Sequence, residues 1–403
     1  MKRYRQLAAA SIGALLVLPF FTNAIAKEAG DLDGEALLVT SGDPSDPLYA
    51  NAGENLRTGV GSIFIEFEGV PVGGFLCTAS VIDDRHVLTS AHCVREAGDT
   101  VRRIRLVLTA GLDAPMIIDA TGFASNPLYD FLSPFFGAFA PGDVAIIEMP
   151  NPLPAEVERY ALYRDNDEFG KETRHYGHGR SGKGNKGATG GSDFFYARTG
   201  LNMYEQTLEP FFGPGFDQLL HDFDSGGSKH NAMEWWFTSA FACHPENTDN
   251  PPQAQDGQCT TFKDGSYPDF KGFGKLEVGV APGDSGGPGF IDGKIAGVHS
   301  FGFTHNCAGV TNGTDFSCGL NSSYGEMSGD ARVSTEAAWI DGVLEGMTPV
   351  TPIPEPIPAS AAAASEEAVE LSVLGKAFMG AAVVGRMRTP ITFDEVKEQL
   401  DLD

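Results

Sequence analysis

The sequence predicts an all-β, turn-rich chain, and three observations predict it. Glycine and proline number 50 and 25 among 403 residues, a density of turn formers that favours short strands over long helices. From Ser62 onward, short apolar runs alternate with turn residues. Ile104, Leu106 and Leu108 alternate with Arg105, Val107 and Thr109, which is the period of a half-buried strand.

Strands are expected in order at Ile63–Phe67, Gly74–Ile82, His86–Ser90, the 104–109 alternation and Val144–Met149, then at Glu234–Cys243, Gly289–Ile291 and Lys294–Phe301. Asp292-Gly293 joins the last two and is a dipeptide suited to a tight hairpin, whose central residues take positive φ. Ala331–Leu344 reads as a helix that closes this region. Residues 345–364 form a Pro/Ala-rich linker, marked by Pro349, Pro352, Pro354 and Pro356. The tail, 365–403, has room for two helices. The second opens with Thr392 and Glu395 as a capping box; the first contains Lys376 and is too short and polar to span a membrane.

The amino terminus reads as a cleavable export signal, residues 1–26. Lys2, Arg3 and Arg5 precede the apolar stretch Ala8 to Phe21, and Ala24-Ile25-Ala26 supplies small residues for cleavage. The apolar run is shorter than the roughly 20 residues that a membrane span requires. Residues 27–59 are acidic and turn-rich and read as a propeptide or an extended arm. The formal net charge is −26, which excludes nucleic acid as a partner because phosphate binding needs clustered Lys and Arg. The acidity fits a soluble exported protein, secreted or periplasmic.

Six cysteines in an exported chain suggest disulfides. Nearest-neighbour pairing, Cys77 with Cys93, Cys243 with Cys259 and Cys307 with Cys318, is the simplest connectivity. Closing a loop of about 16 residues removes on the order of 3 kcal/mol of unfolded-state freedom, and the first bridge would clamp the loop that carries His92.

Three hexapeptides carry the chemistry. In Gly283-Asp284-Ser285-Gly286-Gly287-Pro288, glycines let the backbone turn sharply around a serine. The Gly283 and Ser285 N–H groups are thereby brought to one point, where they would stabilise an oxyanion. A serine hydroxyl is a poor nucleophile and needs a base, and the base needs an orienting carboxylate. Leu88-Thr89-Ser90-Ala91-His92-Cys93 offers the base, and Gly142-Asp143-Val144-Ala145-Ile146-Ile147 offers an Asp at a strand start. A carboxylate buried there requires a partner, and the His92 Nδ1–H would serve. The serine motif also fits the G-x-S-x-G elbow of α/β-hydrolases. That family runs Ser, acid, His, whereas His92 and Asp143 precede Ser285, and the last histidine, His305, follows it too closely.

Together these segments resemble the chymotrypsin/trypsin family of serine proteases. The resemblance extends over residues 60–344. Cys77 lies 16 positions before Cys93, a family spacing; Gly177-His178-Gly179 resembles the opening of the second barrel; Arg332-Val333 with Trp339-Ile340 resembles the closing helix. It implies two antiparallel six-stranded Greek-key β-barrels with a C-terminal helix and a site in the cleft between them. It further implies a serine endopeptidase acting on protein or peptide substrates through an acyl-enzyme, with Ser285, His92 and Asp143 catalytic, Gly283 and Ser285 forming the oxyanion hole, and no cofactor or metal. A non-catalytic binding member of the same fold and an esterase are the alternatives.

For substrate binding, the resemblance points to Ser300-Phe301-Gly302 as the edge that pairs with the substrate backbone and to Gly279, six before Ser285, at the base of the specificity pocket. Gly279 is not acidic, and Ala281 replaces a customary cysteine, so an apolar or small side chain is expected there rather than Arg or Lys. The usual Ile-Val-Gly-Gly mature terminus is missing. Arg57-Thr58-Gly59-Val60-Gly61 lies near its place, and a cut after Arg57 would free an amine for Asp284. The segment between Gly179 and Ser285 is longer than in compact members. It holds Trp235 and Trp236, expected in a core, and His221-Asp222-Phe223-Asp224-Ser225-Gly226, expected as a solvated acidic loop or a calcium site. The tail is read as a loose extension, a secretion or anchoring signal, or an autoinhibitory segment.

Overall fold

A computed structural model describes residues 38–353 apart from 69–73, 96–99, 193–194, 228–229, 234–270, 306–314 and 318, with the backbone alone of 210, 211, 305, 382–386 and 389–391. The segment 1–26, the Trp235-Trp236 pair, the expected strand at 234–243 and the Cys243/Cys259 and Cys307/Cys318 pairs lie outside the described residues.

In chain order the first half supplies β1 (Val39–Thr40), β2 (Val60–Phe67), β3 (Gly74–Val81), β4 (His86–Thr89), α1 (Ala91–Val94), β5 (Val101–Leu108), β6 (Met116–Asp119), β7 (Gly122–Ser125), α2 (Pro127–Phe136) and β8 (Ala145–Glu148). The second half supplies β9 (Glu172–Gly177), β10 (Gly182–Lys183), β11 (Arg198–Met203), β12 (Gln206–Thr207), α3 (Glu209–Phe212), β13 (Leu219–Asp222), β14 (Val278–Gly279), β15 (Pro288–Ile291), β16 (Lys294–His305), β17 (Met327–Arg332) and α4 (Val333–Leu344). β18 (Thr351–Pro352), β19 (Ala382–Arg386) and β20 (Thr389–Ile391) follow.

Two curled antiparallel sheets result, with few helices, as the fold class predicts. One runs β18-β7-β8-β4-β3-β2-β5-β6, with β20 also on β3; the other runs β11-β9-β15-β16-β17-β13-β12, with β19 also on β16. Each exceeds the six strands expected, partly because residues beyond α4 join them. A small third sheet, β10-β1-β14, ties the segment after residue 37 to the second half. Residues 38–59 are therefore integrated in the body: Leu38 and Val39 are buried, and the Tyr49 hydroxyl accepts from Gly42 N–H and donates to Lys275 O.

The alternation at 104–109 is half of the truth. Ile104, Leu106 and Leu108 enter the core of the first sheet, but Val107 on the other face is equally buried, against Phe64 and Leu76. Both faces are covered, so the alternation marks pleat direction rather than solvent exposure. The Asp292-Gly293 hairpin has φ of 50° and 74°, which is why that dipeptide suits it. Ala331 and Arg332, expected in the helix, end β17 instead, and α4 begins at Val333. The expected linker is bound as far as Ile353: β18 pairs with β7, and Ile353 N–H donates to Thr121 O. A further core joins the two sheets, with Leu88, Val144 and Ile146 against Tyr176, Phe290, Val298 and Ile340.

Candidate active site

The 282–287 loop between β14 and β15 is built from contacts that leave no room for a β-carbon at its glycines. Gly283 and Gly286 have φ of 101° and 80°. A β-carbon on Gly286 would stand 2.0 Å from Thr89 Oγ1, and one on Gly283 would stand 2.5 Å from the Gly179 Cα. Glycine is required where both the backbone sign and the neighbouring atoms exclude Cβ. Thr78 fastens the loop to the first sheet: its N–H donates to Ser285 O at 2.7 Å and its hydroxyl donates to Gly283 O at 3.1 Å.

From this loop Ser285 Oγ lies 2.7 Å from His92 Nε2, and His92 Nδ1 lies 2.7 Å from Asp143 Oδ2. The His92 backbone N–H donates to the other oxygen, Asp143 Oδ1, at 2.8 Å. A carboxylate only accepts, so Nδ1–H donates to Asp143 and the neutral ring presents Nε2 as acceptor to the serine hydroxyl. Burial alone pushes the Asp143 carboxyl up, but His92 beside it and the hydrogen bonds from His92 and Ser300 outweigh this and hold it below its ordinary value. His92 sits on the single turn α1, which the Cys77–Cys93 disulfide ties to β3 across 16 residues.

Residues 59–193 match the family model of trypsin. The match spans about a third of the chain, and that part is similar to the trypsin-type serine proteases. The match takes in His92 and Asp143 and ends before Ser285, so the serine is argued from geometry. The solved structure of HL collagenase at 1.7 Å resolution also matches, at 17% identity over 74% of this chain and 98% of that chain, with a TM-score of 0.43. No curated protein matches the chain.

Around Ser285, the N–H groups of Asp284, Gly286 and Gly287 donate to Ala281 O, His299 O and Asp284 O. Those of Gly283 and Ser285 make no hydrogen bond among the described residues. The Asp284 carboxylate accepts from Gly179 N–H at 2.7 Å and Ala281 N–H at 2.8 Å, and burial pushes its pKa up to about 7. A freed terminal amine is thus not what satisfies Asp284 here. At the expected cut, Thr58 N–H is instead held by Glu158 Oε2 at 3.1 Å.

The substrate residues expected from the sequence are placed differently from one another. The Ser300 hydroxyl turns inward and donates to Asp143 Oδ2. Phe301 is fully buried in an aromatic group with Phe139, 5.1 Å between ring centroids, and with Phe303, so only its backbone is left for pairing. Gly302 lies beside it on the same edge. Gly279 pairs with Val39 of β1, and its absent Cβ leaves space filled by the Phe223 ring. Neither the arm nor Phe223 was foreseeable there, because both arrive from distant sequence.

Two buried polar clusters assemble from distant segments, and of their residues only those of 221–226 stood in a motif that the sequence singled out. In the second sheet, β9, β13, β16 and β17 contribute His175, His221, His299 and Asp330, with the Tyr204 hydroxyl donating to Asp330 at 2.5 Å and His299 Nδ1 at 3.0 Å from the same carboxylate. Burial raises the Asp330 carboxyl, but His299 and His221 hold it well below its ordinary range; burial drives His175 well below its own. His175, His299 and Asp330 could hold a metal ion among the described residues; Cys77, His92 and Cys93 also cluster, but both thiols are in the disulfide. Near β14, Glu205, Asp222, Asp224 and Glu277 are all buried. Asp222 and Asp224 are therefore not the solvated loop expected of 221–226: β13 carries the first of them into the interior.

Proposed function

We propose that this protein is a secreted, trypsin-like endopeptidase that hydrolyses peptide bonds through Ser285, with His92 as base and Asp143 as its orienting acid. The observation that supports this reading is the unbroken hydrogen-bonded chain from Ser285 Oγ through His92 to Asp143, with spacings of 2.7 Å at both links. Ser285 Oγ attacks the scissile carbonyl carbon while His92 Nε2 takes the hydroxyl proton. The tetrahedral oxyanion is held by the Gly283 and Ser285 N–H groups, each worth about 3–4 kcal/mol. Its collapse breaks the C–N bond, and His92 passes the proton to the leaving amine. Water then attacks the acyl ester, giving a proton to His92, and that proton returns to Ser285 as the acid leaves. Asp143 stays ionised throughout and stabilises the imidazolium.

Residues 1–26 direct export in this reading, and the bond is cut after a small or apolar residue, since Gly279 brings no charge to the pocket. Ser285→Ala tests the assignment: labelling by a fluorophosphonate and peptide hydrolysis should both vanish while melting is unchanged. Hydrolysis retained in that variant refutes it.

A further inference from the structure

We propose that the tail strands 382–386 and 389–391 are a tethered occupant of the cleft, lying where a substrate strand would lie and holding the intact chain inactive; this rests on Ser285 being the nucleophile. Two backbone pairings carry the inference. β19 adds to β16 antiparallel, with Arg386 opposite Phe301, Gly385 opposite Gly302 and Val384 opposite Phe303. β20 adds to β3 antiparallel, with Thr389 opposite Leu76, Pro390 opposite Phe75 and Ile391 opposite Gly74.

The two host edges belong to different sheets, and each leads straight to the serine. On β16, the residue before Phe301 is Ser300, whose hydroxyl holds Asp143, and His299 before it exchanges backbone hydrogen bonds with Gly286 and Gly287. On β3, Thr78 lies two residues past Leu76 and holds Ser285 O. Only two residues of chain separate Arg386 from Thr389. The two tail strands therefore extend both sheets, each on a strand that is itself hydrogen-bonded to the Ser285 loop.

Adding a strand to a free edge is a general way to bind an extended peptide, with affinity from backbone hydrogen bonds. The edge at 301–305 is the one the sequence assigns to substrate through Phe301 and Gly302, so β19 and a substrate compete for the same N–H and C=O groups. Ser285 and His92 are both fully buried in the intact chain, a closed state for groups that must meet substrate and water. Between Ile353, bound on the first sheet, and Ala382 lie 28 residues; a chain of that length can span up to about 100 Å, enough for the tail to return to its own site.

The test uses the full chain with Val384→Pro and Gly385→Pro as separate substitutions. Successive residues of a strand point their N–H groups to opposite sides, and proline has none, so one of the two removes a donor aimed at β16. The readout is the rate at which a small fluorophosphonate labels Ser285, with melting followed in parallel. One variant should label about tenfold faster than wild type, the factor expected when a tethered strand at about millimolar effective concentration binds with a dissociation constant of about 0.1 mM. A chain ending at residue 381 should label at least as fast, and a synthetic peptide of residues 382–391 should slow it. Cleavage between Arg386 and Thr389 in wild type that Ser285→Ala abolishes reads out the same occupancy as product and supports the proposal. Equal labelling rates in wild type, both proline variants and the shortened chain overturn it while leaving Ser285 as nucleophile. No labelling in any form overturns the nucleophile assignment, and the tail proposal with it.

Discussion

Gly177 lies so close to Asp284 that a β-carbon on it would stand 1.9 Å from the carboxylate Oδ1. Gly179 is nearly as tight, at 2.7 Å, and its N–H holds the same oxygen. The glycines of Gly177-His178-Gly179 thus shape the seat of the residue that precedes Ser285. Gly177→Ala should displace Asp284 and with it the serine loop. Misplacement by about 1 Å costs on the order of 100-fold in rate, so kcat/KM should fall by about that factor, with a loss of about 1–3 kcal/mol in stability from overpacking. Unchanged peptide hydrolysis in a folded Gly177→Ala chain would show that Asp284 does not position the loop.

Ser300 offers a second check, because its hydroxyl is directed at Asp143 and not at the cleft. A hydrogen bond to a charged acceptor is worth about 1.5–3 kcal/mol. Ser300→Ala should therefore lower kcat roughly tenfold to a hundredfold and leave KM nearly unchanged. A change confined to KM would mean that the side chain serves substrate binding instead.

The Cys77–Cys93 bridge closes 16 residues around His92. Replacing both cysteines by alanine should cost about 3 kcal/mol and lower the melting temperature by several degrees. Wild type in dithiothreitol should follow the same curve once reduced. If the double variant melts like the oxidised wild type, the loop is held by its packing alone.

Stability should increase on mild acidification. Burial pushes Asp284 and Glu336 up to about 7 and Glu326 up to about 8. Each folded molecule keeps protons that the unfolded chain releases near pH 4, so their stabilising contribution is complete below about pH 4 and is lost as pH rises through 7 to 8. Asp143 and Asp330, both shifted downward, act oppositely and fail only as pH falls below the ordinary carboxylate range. The melting temperature should therefore peak near pH 5 and fall by several degrees toward pH 8, each pKa unit being worth about 1.4 kcal/mol. Relief of the net charge of −26 acts in the same direction; Asp284→Asn, which flattens only the carboxyl part, separates the two. A melting temperature that climbs steadily from pH 5 to 8 would contradict this.

Local chemistry was legible in the sequence. Glycines at 283, 286 and 287, the Asp292-Gly293 turn, the apolar runs and the spacing of Cys77 from Cys93 are decided by the residue and its near neighbours, so they can be read one segment at a time. The order His92, Asp143, Ser285 also sufficed to choose a double-sheet architecture over a nucleophile elbow. Everything that depended on which distant segments meet had to wait for the fold. Ser300 and Asp143 are 157 positions apart, and Gly179 and Asp284 are 105 apart. Strand periodicity gives the direction of a side chain but not its partner, so it could not tell that four strands aim His175, His221, His299 and Asp330 at one another, or that Val107 is covered on its outer face. The tail is the clearest case. Its sequence leaves an extension, a secretion or anchoring signal and an autoinhibitory segment all open to reading, because an edge strand owes its structure to the sheet that receives it, here the edges of β3 and β16.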